Sequence, residues 1–446
     1  MKIIKQLGAI FAPIFALFVR RRAILGVLGV CWIMLSLLGL SGCQGAPQSI
    51  EPSDEVVHLT LWHGVNPPPN RDVLQKLVDQ FNQTHPNIQV ESIYIGQSDQ
   101  QMPKLLSAVV GNASPHMLWN SPTLMGQLVE LGALRSLDDW WANSSLREEI
   151  DPSLLETMKW EGHIWSIPFD TNNVGLFYRP SLFAAAGITE PPKTWEALQQ
   201  VARQLTRTDA GHKQVGMLLP AGKGIWAVFT WLPFMWSGGG ELIDTNGNVN
   251  LENPGSIAAL KLWQDLLQSG VATLSQPERG YELDGFLEGK VAMQLTGPWT
   301  LGQLQATGKD FAVMPIPVGQ EPATVIGGEN LFIFKTTPEA EQAAWQFAEF
   351  VMSDAFQTEW AIGTGYLPVN LKSRQNPAYQ AYVAQQPALN VFLEQAKYGR
   401  SLPVSPSSNR ILDSVGRAIE STLLQGSSPE TALQTSQSRL NLILGG

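Results

Sequence analysis

Strand-like and helix-like segments alternate along this chain, and that alternation limits the folds available to it. Val56–His63 is rich in β-forming residues, Asn70–His85 carries apolar residues at helical spacing, and Ile88–Ile95 alternates as a strand does. A strand–helix–strand order implies right-handed crossovers and a mostly parallel sheet. The same order recurs between residues 174 and 334. We therefore predict two α/β lobes, with ligands bound outside the carboxyl ends of strands.

The charge and cysteine content exclude several classes of partner. The 446 residues include 29 Lys and Arg against 39 Asp and Glu, a net charge of -10. Such an acidic chain would be repelled by nucleic-acid phosphates, and by anionic membrane surfaces unless it is anchored. The two cysteines, Cys31 and Cys43, and the six scattered histidines form no zinc motif. We expect no metal and no cofactor.

The N-terminus has the pattern of an export signal. Arg20–Arg22 precedes an uncharged apolar run, Ala23–Leu40, which ends in Leu40-Ser41-Gly42-Cys43. These last four residues resemble the lipobox of bacterial lipoproteins, in which Cys43 would become the acylated first residue. We expect residues 1–42 to be a lipoprotein signal and the polar residues 43–55 to be a tether. The alternative is a membrane span of 18 residues that ends by chance in cysteine.

Several tryptophans lie beside glycine or proline in predicted loops. These are Trp62, Trp226, Trp236 and Trp299. Flat aromatic faces stack on the apolar faces of sugar rings, while nearby carboxylates and amides bond the hydroxyls. The alternative for each of them is an ordinary place in the core. The set favours a ligand site that at least two of them line.

Two polar segments are candidates for the rest of such a site. Ile167–Asn173 follows a predicted β-hairpin and ends in four polar residues, Asp170 to Asn173, which suit bonding to several hydroxyls. An Asx turn is the alternative. Gly327–Asn330 opens a strand, and its glycines would let backbone approach a ligand closely.

Enzyme motifs are weak or absent in the sequence. Gly222-Lys223-Gly224 lacks the rest of a phosphate-binding loop, so the chain is not an ATP-hydrolysing subunit. There is no GxSxG, which weakens a hydrolase interpretation. Asp244–Asn248 fails the spacing of a calcium loop. A pair of glycosidase carboxylates stays open, since the two need not be close in sequence.

Nine segments occur in the order found in one protein family. They are Leu59–Gly64, Phe81–Glu91, Gly111–Trp119, Leu131–Trp140, Ile167–Ile188, Pro191–Leu198, Gly289–Trp299, Ile326–Phe334 and Thr364–Val369. In these segments the sequence resembles family 1 extracellular solute-binding proteins, the lipid-anchored or periplasmic receptors of sugar ABC importers. The resemblance spans nearly the whole chain after Cys43.

The resemblance implies a two-lobed periplasmic-binding-protein fold of type II-like architecture, with a hinge between the lobes and mixed, mostly parallel sheets. It divides the chain into lobe 1, residues 56–172 plus about 300–345, and lobe 2, residues 173–299 plus about 346–446. It also implies a monomeric, exported, non-enzymatic receptor that delivers a sugar or polyol to membrane permease subunits and, through them, to an ATPase. The ligand-binding residues expected are Trp62, His63, Asp170, Thr171, Asn172, Trp226, Trp231, Trp236, Trp299, Gly328, Glu329, Tyr366 and Arg410.

Two alternatives stay open. Within the family, Ile326–Gly328, Thr364–Pro368 and Arg410 also resemble glycerol-3-phosphate receptors, where an arginine near this position helps to hold the ligand; a guanidinium suits phosphate well. Residues Trp119–Pro122 lack the glutamate of those receptors, which weakens this interpretation. An exported glycan hydrolase is the other alternative.

Overall fold

The computed structural model describes residues 56–96, 98–209, 211–221, 225–244, 246–275 and 283–444. The predicted signal, Cys43 and the tether up to residue 55 lie outside these residues. In chain order, the strands are β1 (Val57–His63), β2 (Ile88–Tyr94), β3 (Met117–Asn120), β4 (Lys159–Trp160), β5 (His163–Ile164), β6 (Ser166–Pro168), β7 (Gly175–Tyr178), β8 (Arg207–Asp209), β9 (His212–Leu219), β10 (Ala272–Leu274), β11 (Val291–Thr296), β12 (Ala312–Met314), β13 (Thr324–Ile326), β14 (Asn330–Ile333) and β15 (Gly399–Ser401).

The helices carry the crossovers and most of the C-terminal third. They are α1 (Pro68–Thr84), α2 (Ser98–Val110), α3 (Met125–Glu130), α4 (Asp138–Asn143), α5 (Pro180–Ala185), α6 (Trp195–Leu205), α7 (Ile225–Ser237), α8 (Pro254–Gln268), α9 (Asp284–Leu287), α10 (Leu301–Ala306), α11 (Pro338–Met352), α12 (Asp354–Thr364), α13 (Leu371–Gln375), α14 (Pro377–Gln385), α15 (Pro387–Gln395), α16 (Ser408–Leu424) and α17 (Pro429–Leu444).

Two sheets form the framework, as the alternation predicts. The first has the order β2-β1-β3-β14-β6, and the second has the order β10-β9-β11-β7-β12 with β8 paired to β9. In the first sheet, β1 pairs in parallel with β2 and β3, and β14 pairs antiparallel with β3 and β6. In the second, β9 pairs in parallel with β10 and β11, and β7 pairs antiparallel with β11 and β12. Both sheets are mixed, and the parallel pairs lie on one side of each.

Local sequence explains why the crossover helices form where they do. Helix α1 buries Leu74, Leu77, Val78 and Phe81, the helical stripe that the spacing predicts. The hydroxyl of Thr194 accepts a hydrogen bond from the Ala197 N–H and caps the start of α6. These helices cover the sheets with their apolar faces, which leaves the loops at the strand ends to build a site.

Helix α7 was not predicted from the sequence. The residues around Trp226 and Trp236 were expected to be loops, because glycines flank them, but both tryptophans lie within a helix whose described residues are nearly all buried. A helix buried on all sides has no polar face and therefore no amphipathic period to detect. Pro233 lies inside it and further disguises it in the sequence.

The pairing of the chain also differs from the predicted lobe boundaries at two places. Strand β12, expected in lobe 1, lies at the edge of the second sheet beside β7. Helix α12, expected in lobe 2, packs on α1 beside the first sheet: Glu359 forms an ion pair with Lys76 and accepts a hydrogen bond from Gln80 at 3.2 Å. The chain therefore crosses from one sheet to the other more often than the predicted lobe boundaries imply. Sequence periodicity does not report which sheet edge a short strand will cover.

Gly216 in β9 offers a test of how closely α6 packs on the second sheet. An added Cβ would lie 2.3 Å from the carbonyl oxygen of Ala202 in α6, a backbone atom that cannot yield. We expect Gly216→Ala to lower the free energy of unfolding by about 1–3 kcal/mol, measured by urea denaturation. Gly302→Ala is the matched control, since nothing lies within 4 Å of its added Cβ, and it should be neutral or stabilising. Equal effects of the two substitutions would contradict this view of the packing.

Candidate functional site

Three backbone segments meet between the two sheets. Asn172 exchanges backbone hydrogen bonds with Gly327, at 3.1 and 2.9 Å, and Thr171 exchanges them with Leu367, at 3.2 and 2.9 Å. Gly328 has φ +123°, and an added Cβ there would lie 2.2 Å from the carbonyl oxygen of Asp170. Only glycine permits this close approach. The crossing brings the two predicted polar segments into one place.

A cleft that is open to solvent lies beside this crossing. It is lined from the loops of the first sheet, from α7 and from the turn before α10. The lining residues are Gly64, Asn66, Pro67, Trp119, Ser121, Pro122, Leu154, Thr157, Pro168, Asp170, Asn172, Ile225, Trp226, Phe229, Trp299, Thr300, Gln303, Ile326, Gly327, Gly328, Glu329, Asn330, Tyr366, Ser401 and Leu402. This combination of aromatic rings, amides and hydroxyls is typical of a site for a small polar ligand.

Asp170 and Glu329 form a buried carboxyl pair in the cleft wall. One oxygen of Asp170 accepts the Glu329 backbone N–H at 3.0 Å, and the other accepts the Trp119 indole N–H at 3.4 Å. The two carboxyl groups also lie close enough for each to affect the pKa of the other. Burial raises the pKa of Asp170 to about 7. Burial, and then the negative charge of Asp170, raise the pKa of Glu329 well above its usual value. Like charges this close do not both ionise at neutral pH, so the pair holds a proton.

A row of aromatic rings forms the opposite part of the lining. Phe229 and Trp226 stack at 6.1 Å between ring centroids, and the Trp226 ring meets the Trp299 ring at 5.9 Å and 73°. Trp299 in turn lies 6.0 Å from Tyr366. An added Cβ at Gly297 would collide with the Trp299 ring, so the glycine keeps that ring in place. Trp226 and Trp299 therefore present two faces at a steep angle, which suits stacking against a ring-shaped ligand.

Two acceptor atoms of the lining residues are buried without a hydrogen-bond partner in the protein. They are the side-chain oxygen of Asn172 and one carboxyl oxygen of Glu329. The amide of Asn330, by contrast, is fully used by the carbonyl of Thr157 and the hydroxyl of Ser166, each at 2.8 Å. Buried polar atoms are normally paired, so the unpaired oxygens indicate where a ligand donates.

The structure brings seven of the thirteen expected residues together in the cleft lining: Asp170, Asn172, Trp226, Trp299, Gly328, Glu329 and Tyr366. Thr171 lies next to them, and its hydroxyl donates to the carbonyl of Gly327 at 3.1 Å. Its side chain therefore supports the crossing of the backbone segments. The clustering joins residues that are up to 196 positions apart in the sequence, which no local pattern reports.

Five expected residues lie elsewhere. Trp231 is 1% exposed in the core of α7, and Trp236 is buried with Arg400 5.9 Å from its ring centroid. Trp62 lies at the end of β1 with Lys104 5.4 Å from its ring. His63 is buried beside the cleft residue Gly64, where burial and then the charge of Arg71 lower its pKa to about 4. It is therefore a neutral core histidine that accepts the Val65 N–H.

Arg410 is the fifth expected binding residue that lies outside the cleft lining. It is exposed at the start of α16 and lines a separate surface depression with Glu130 and Asp413. The helix that contains it packs against α7 and the turn at residues 122–124, on the outside of the cleft wall. Its position gives no support to the phosphate role that the resemblance implied.

Sequence reasoning missed several lining residues, above all Trp119, Phe229 and Ser121. Trp119 belongs to β3, and its indole N–H donates to the Asp170 carboxyl group. Its place at the carboxyl end of a central strand was the available signal. Phe229 follows Trp226 by three residues in α7, a spacing that becomes informative only once the helix is known.

In the described part of the chain, no group of three or more His, Cys, Asp or Glu side chains is arranged to hold a metal ion. Among the same residues, none of the helices is sufficiently long and apolar to span a bilayer.

A two-lobed α/β chain whose crossing segments line an aromatic, amide-bearing cleft has the architecture of a solute receptor. A family model described as a bacterial extracellular solute-binding protein matches residues 76–387. The chain belongs to this family, as the order of motifs predicted. It is an extracellular family whose named members are binding proteins for sugars or glycerol phosphate in ABC import.

Individual relatives are distant but extend over most of the chain. The maltotriose-binding protein of Pyrococcus abyssi is 23% identical over 82% of this chain and 77% of its own length. The sn-glycerol-3-phosphate-binding periplasmic protein of Pectobacterium atrosepticum is 20% identical over 86% of this chain and 91% of its own. The GacH receptor of Streptomyces glaucescens, solved unliganded and with acarbose, superposes with a TM-score of 0.78 at 22% identity, over 87% of this chain and 99% of that one. The shared fold confirms the two-lobed architecture.

The carboxyl pair predicts a specific pH dependence of stability. The folded-state pKa values lie above the ordinary values of 3.8 and 4.5, so the native state binds more protons than the unfolded state from about pH 4 to pH 7. The free energy of unfolding therefore falls as the pH rises through this range. We expect Glu329→Gln, which removes one of the two like charges, to flatten this slope and to stabilise the ligand-free protein at pH 7.5 by at least about 1 kcal/mol. Urea denaturation at several pH values measures the free energy of unfolding of both proteins. Parallel plots of this free energy against pH for the wild type and the variant would contradict the prediction.

A substitution of Arg410 tests whether this residue lies outside the binding site. Because its guanidinium is exposed outside the cleft, we expect Arg410→Gln to leave ligand affinity within about twofold, as measured by calorimetry with the best sugar of a screen. A loss of tenfold or more would return this arginine to the binding site.

Proposed function

We propose that this chain is the lipid-anchored substrate-binding receptor of an ABC importer, which captures a sugar by hinge closure and delivers it unaltered to a membrane permease. The ligand class is a disaccharide, an oligosaccharide or a glycosylated polyol. The observation that carries the proposal is the cleft at the crossing of the chain, where Trp226 and Trp299 offer angled aromatic faces opposite the Asp170–Glu329 pair. The anchor is inferred from Leu40-Ser41-Gly42-Cys43, and monomeric delivery to a permease is inferred from the family.

The geometry of the carboxyl pair disfavours a glycan hydrolase. Hydrolysis needs two carboxyl groups about 5–10 Å apart, with the sugar, and in inverting enzymes also a water, between them. Asp170 and Glu329 are instead adjacent in one wall of the cleft, where the Glu329 backbone N–H donates to the Asp170 carboxyl group at 3.0 Å. On one wall the pair can hold a ligand but does not flank it.

The charge of the cleft disfavours glycerol phosphate. Its described lining contains two carboxyl groups and no lysine or arginine. Arg410, the candidate for phosphate binding, lies outside it. A phosphate in this cleft would be repelled by Asp170 rather than paired.

The function is tested by thermal unfolding with maltose, trehalose, maltotriose and glycerol 3-phosphate, followed by calorimetry. A ligand that binds only the native state raises the melting temperature. We expect at least one of the three sugars to do so and to be recovered intact, and glycerol 3-phosphate to have no effect. Release of shorter sugars would favour the hydrolase, and a shift with glycerol 3-phosphate alone would favour the phosphate receptor.

A substitution in the aromatic row tests whether these rings bind the sugar. We expect Trp299→Ala to weaken binding of the best of these sugars at least tenfold, about 1.4 kcal/mol, because it removes one stacking face. Trp165→Ala is the control: Trp165 lies between β5 and β6, outside the cleft, and donates to the carbonyl of Trp160. Its loss should affect stability but not affinity. Circular dichroism checks that both variants fold, and equal affinities for the two would remove Trp299 from the site.

A further inference from the structure

The cleft provides many acceptors and negative charge but no positive charge among its described lining residues. Two side-chain oxygens of the lining, on Asn172 and Glu329, are buried without a hydrogen-bond partner in the protein. Asn172 is 4% exposed, so water does not readily satisfy its oxygen. A ligand that complements these atoms must bring donors, and each hydroxyl that it brings also adds an acceptor that needs a donor in return. An ammonium group brings three donors and no acceptor.

Two cationic residue types next to lining residues are neutral or already engaged. Arg400, which precedes the lining residue Ser401, forms ion pairs with Glu241 and Glu321. His63, which precedes the lining residue Gly64, is uncharged at neutral pH because burial disfavours its protonated form. The described lining contains no lysine or arginine. The negative charge that remains on the Asp170–Glu329 pair when it holds one proton therefore has no counter-ion there, which is costly for a buried group.

Besides the negative charge of the carboxyl pair, the cleft offers aromatic rings that can attract a cation. The Trp226 and Trp299 rings meet at 73°, with Phe229 and Tyr366 continuing the row on either side. Indole faces attract a cation through the ring quadrupole, and most strongly where water is excluded. Rings at a steep angle form two walls of a box around such a group.

We propose that the physiological ligand of this cleft carries a positively charged nitrogen, and that it is an amino sugar or a sugar with an amine substituent. The inference rests on the proposed function, since it specifies the sugar class taken by that same site. The rings would hold the sugar face, and the Asp170–Glu329 pair with the Asn172 oxygen would receive the ammonium group. An anionic sugar would be repelled by the carboxyl pair and would find no lysine or arginine in the described lining.

The test uses three matched pairs at pH 7.0 in low salt: glucose with glucosamine, galactose with galactosamine, and mannose with mannosamine. Melting temperatures are measured at 50 mM sugar, and dissociation constants follow from titration calorimetry. We expect at least one hexosamine to bind at least tenfold more tightly than its parent hexose. If no hexosamine exceeds its parent, the inference is overturned.

Two variants attribute the preference to the carboxyl pair. We expect Glu329→Gln to reduce affinity for that hexosamine at least fivefold more than affinity for its parent. Glu288→Gln is the charge-matched control, because Glu288 is exposed and paired with Lys290 outside the cleft lining, and it should leave the ratio of the two affinities unchanged. A preference that survives Glu329→Gln, or that is lost equally in both variants, would overturn the role of the pair.

The proposed function is tested separately by the neutral oligosaccharides above. Binding of maltose, trehalose or maltotriose without any amine preference would overturn this inference and leave the receptor function intact. If neither the oligosaccharides nor the hexosamines bind, both proposals fall.

Discussion

The passage of Gly328 over the backbone of Asp170 is the constraint on which the rest of the site depends. The carbonyl oxygen of Asp170 lies where a side chain at residue 328 would begin, so the two segments can cross only with glycine there. The crossing aims the Glu329 N–H at the Asp170 carboxyl group. It thereby places two acids side by side at the point where the chain passes between the sheets.

Two carboxyl groups buried side by side cost free energy when no ligand is bound. The hydrogen-bond donors around them offset only part of that cost. Asp170 accepts hydrogen bonds from the backbone N–H of Glu329 and from the indole N–H of Trp119. Trp360 stacks on Tyr366 at 5.7 Å, and Tyr366 reaches Trp299. Phe169, which precedes Asp170, packs edge-on against Trp360 at 5.4 Å between ring centroids, so the aromatic row reaches the segment that carries the acid pair.

Much of the framework could be predicted from the sequence, because amphipathic segments report their own period. Helix α1 and strands β1 and β2 lie within a residue or two of their predicted bounds. Helix α7 could not be found this way, since a segment that is apolar on every side has no period. The edge positions of β12 and α12 depend on which surface remains uncovered after the rest has folded, and that is a tertiary property.

The site was partly predictable for a different reason. Gly328, Glu329 and Asp170 were identified because polar residues and glycines beside strands have few structural roles, whereas Trp231 and Trp236 were misplaced because tryptophan serves the core as readily as a ligand. Arg410 was carried over from a resemblance, and distant members of a fold keep their architecture while exchanging site residues. The family leaves the ligand open, and the side chains that line the cleft therefore decide it. A cleft that buries unpaired acceptor oxygens on Asn172 and Glu329 selects for ligands with donors. An unpaired buried group costs about 1–3 kcal/mol for any ligand that fails to satisfy it.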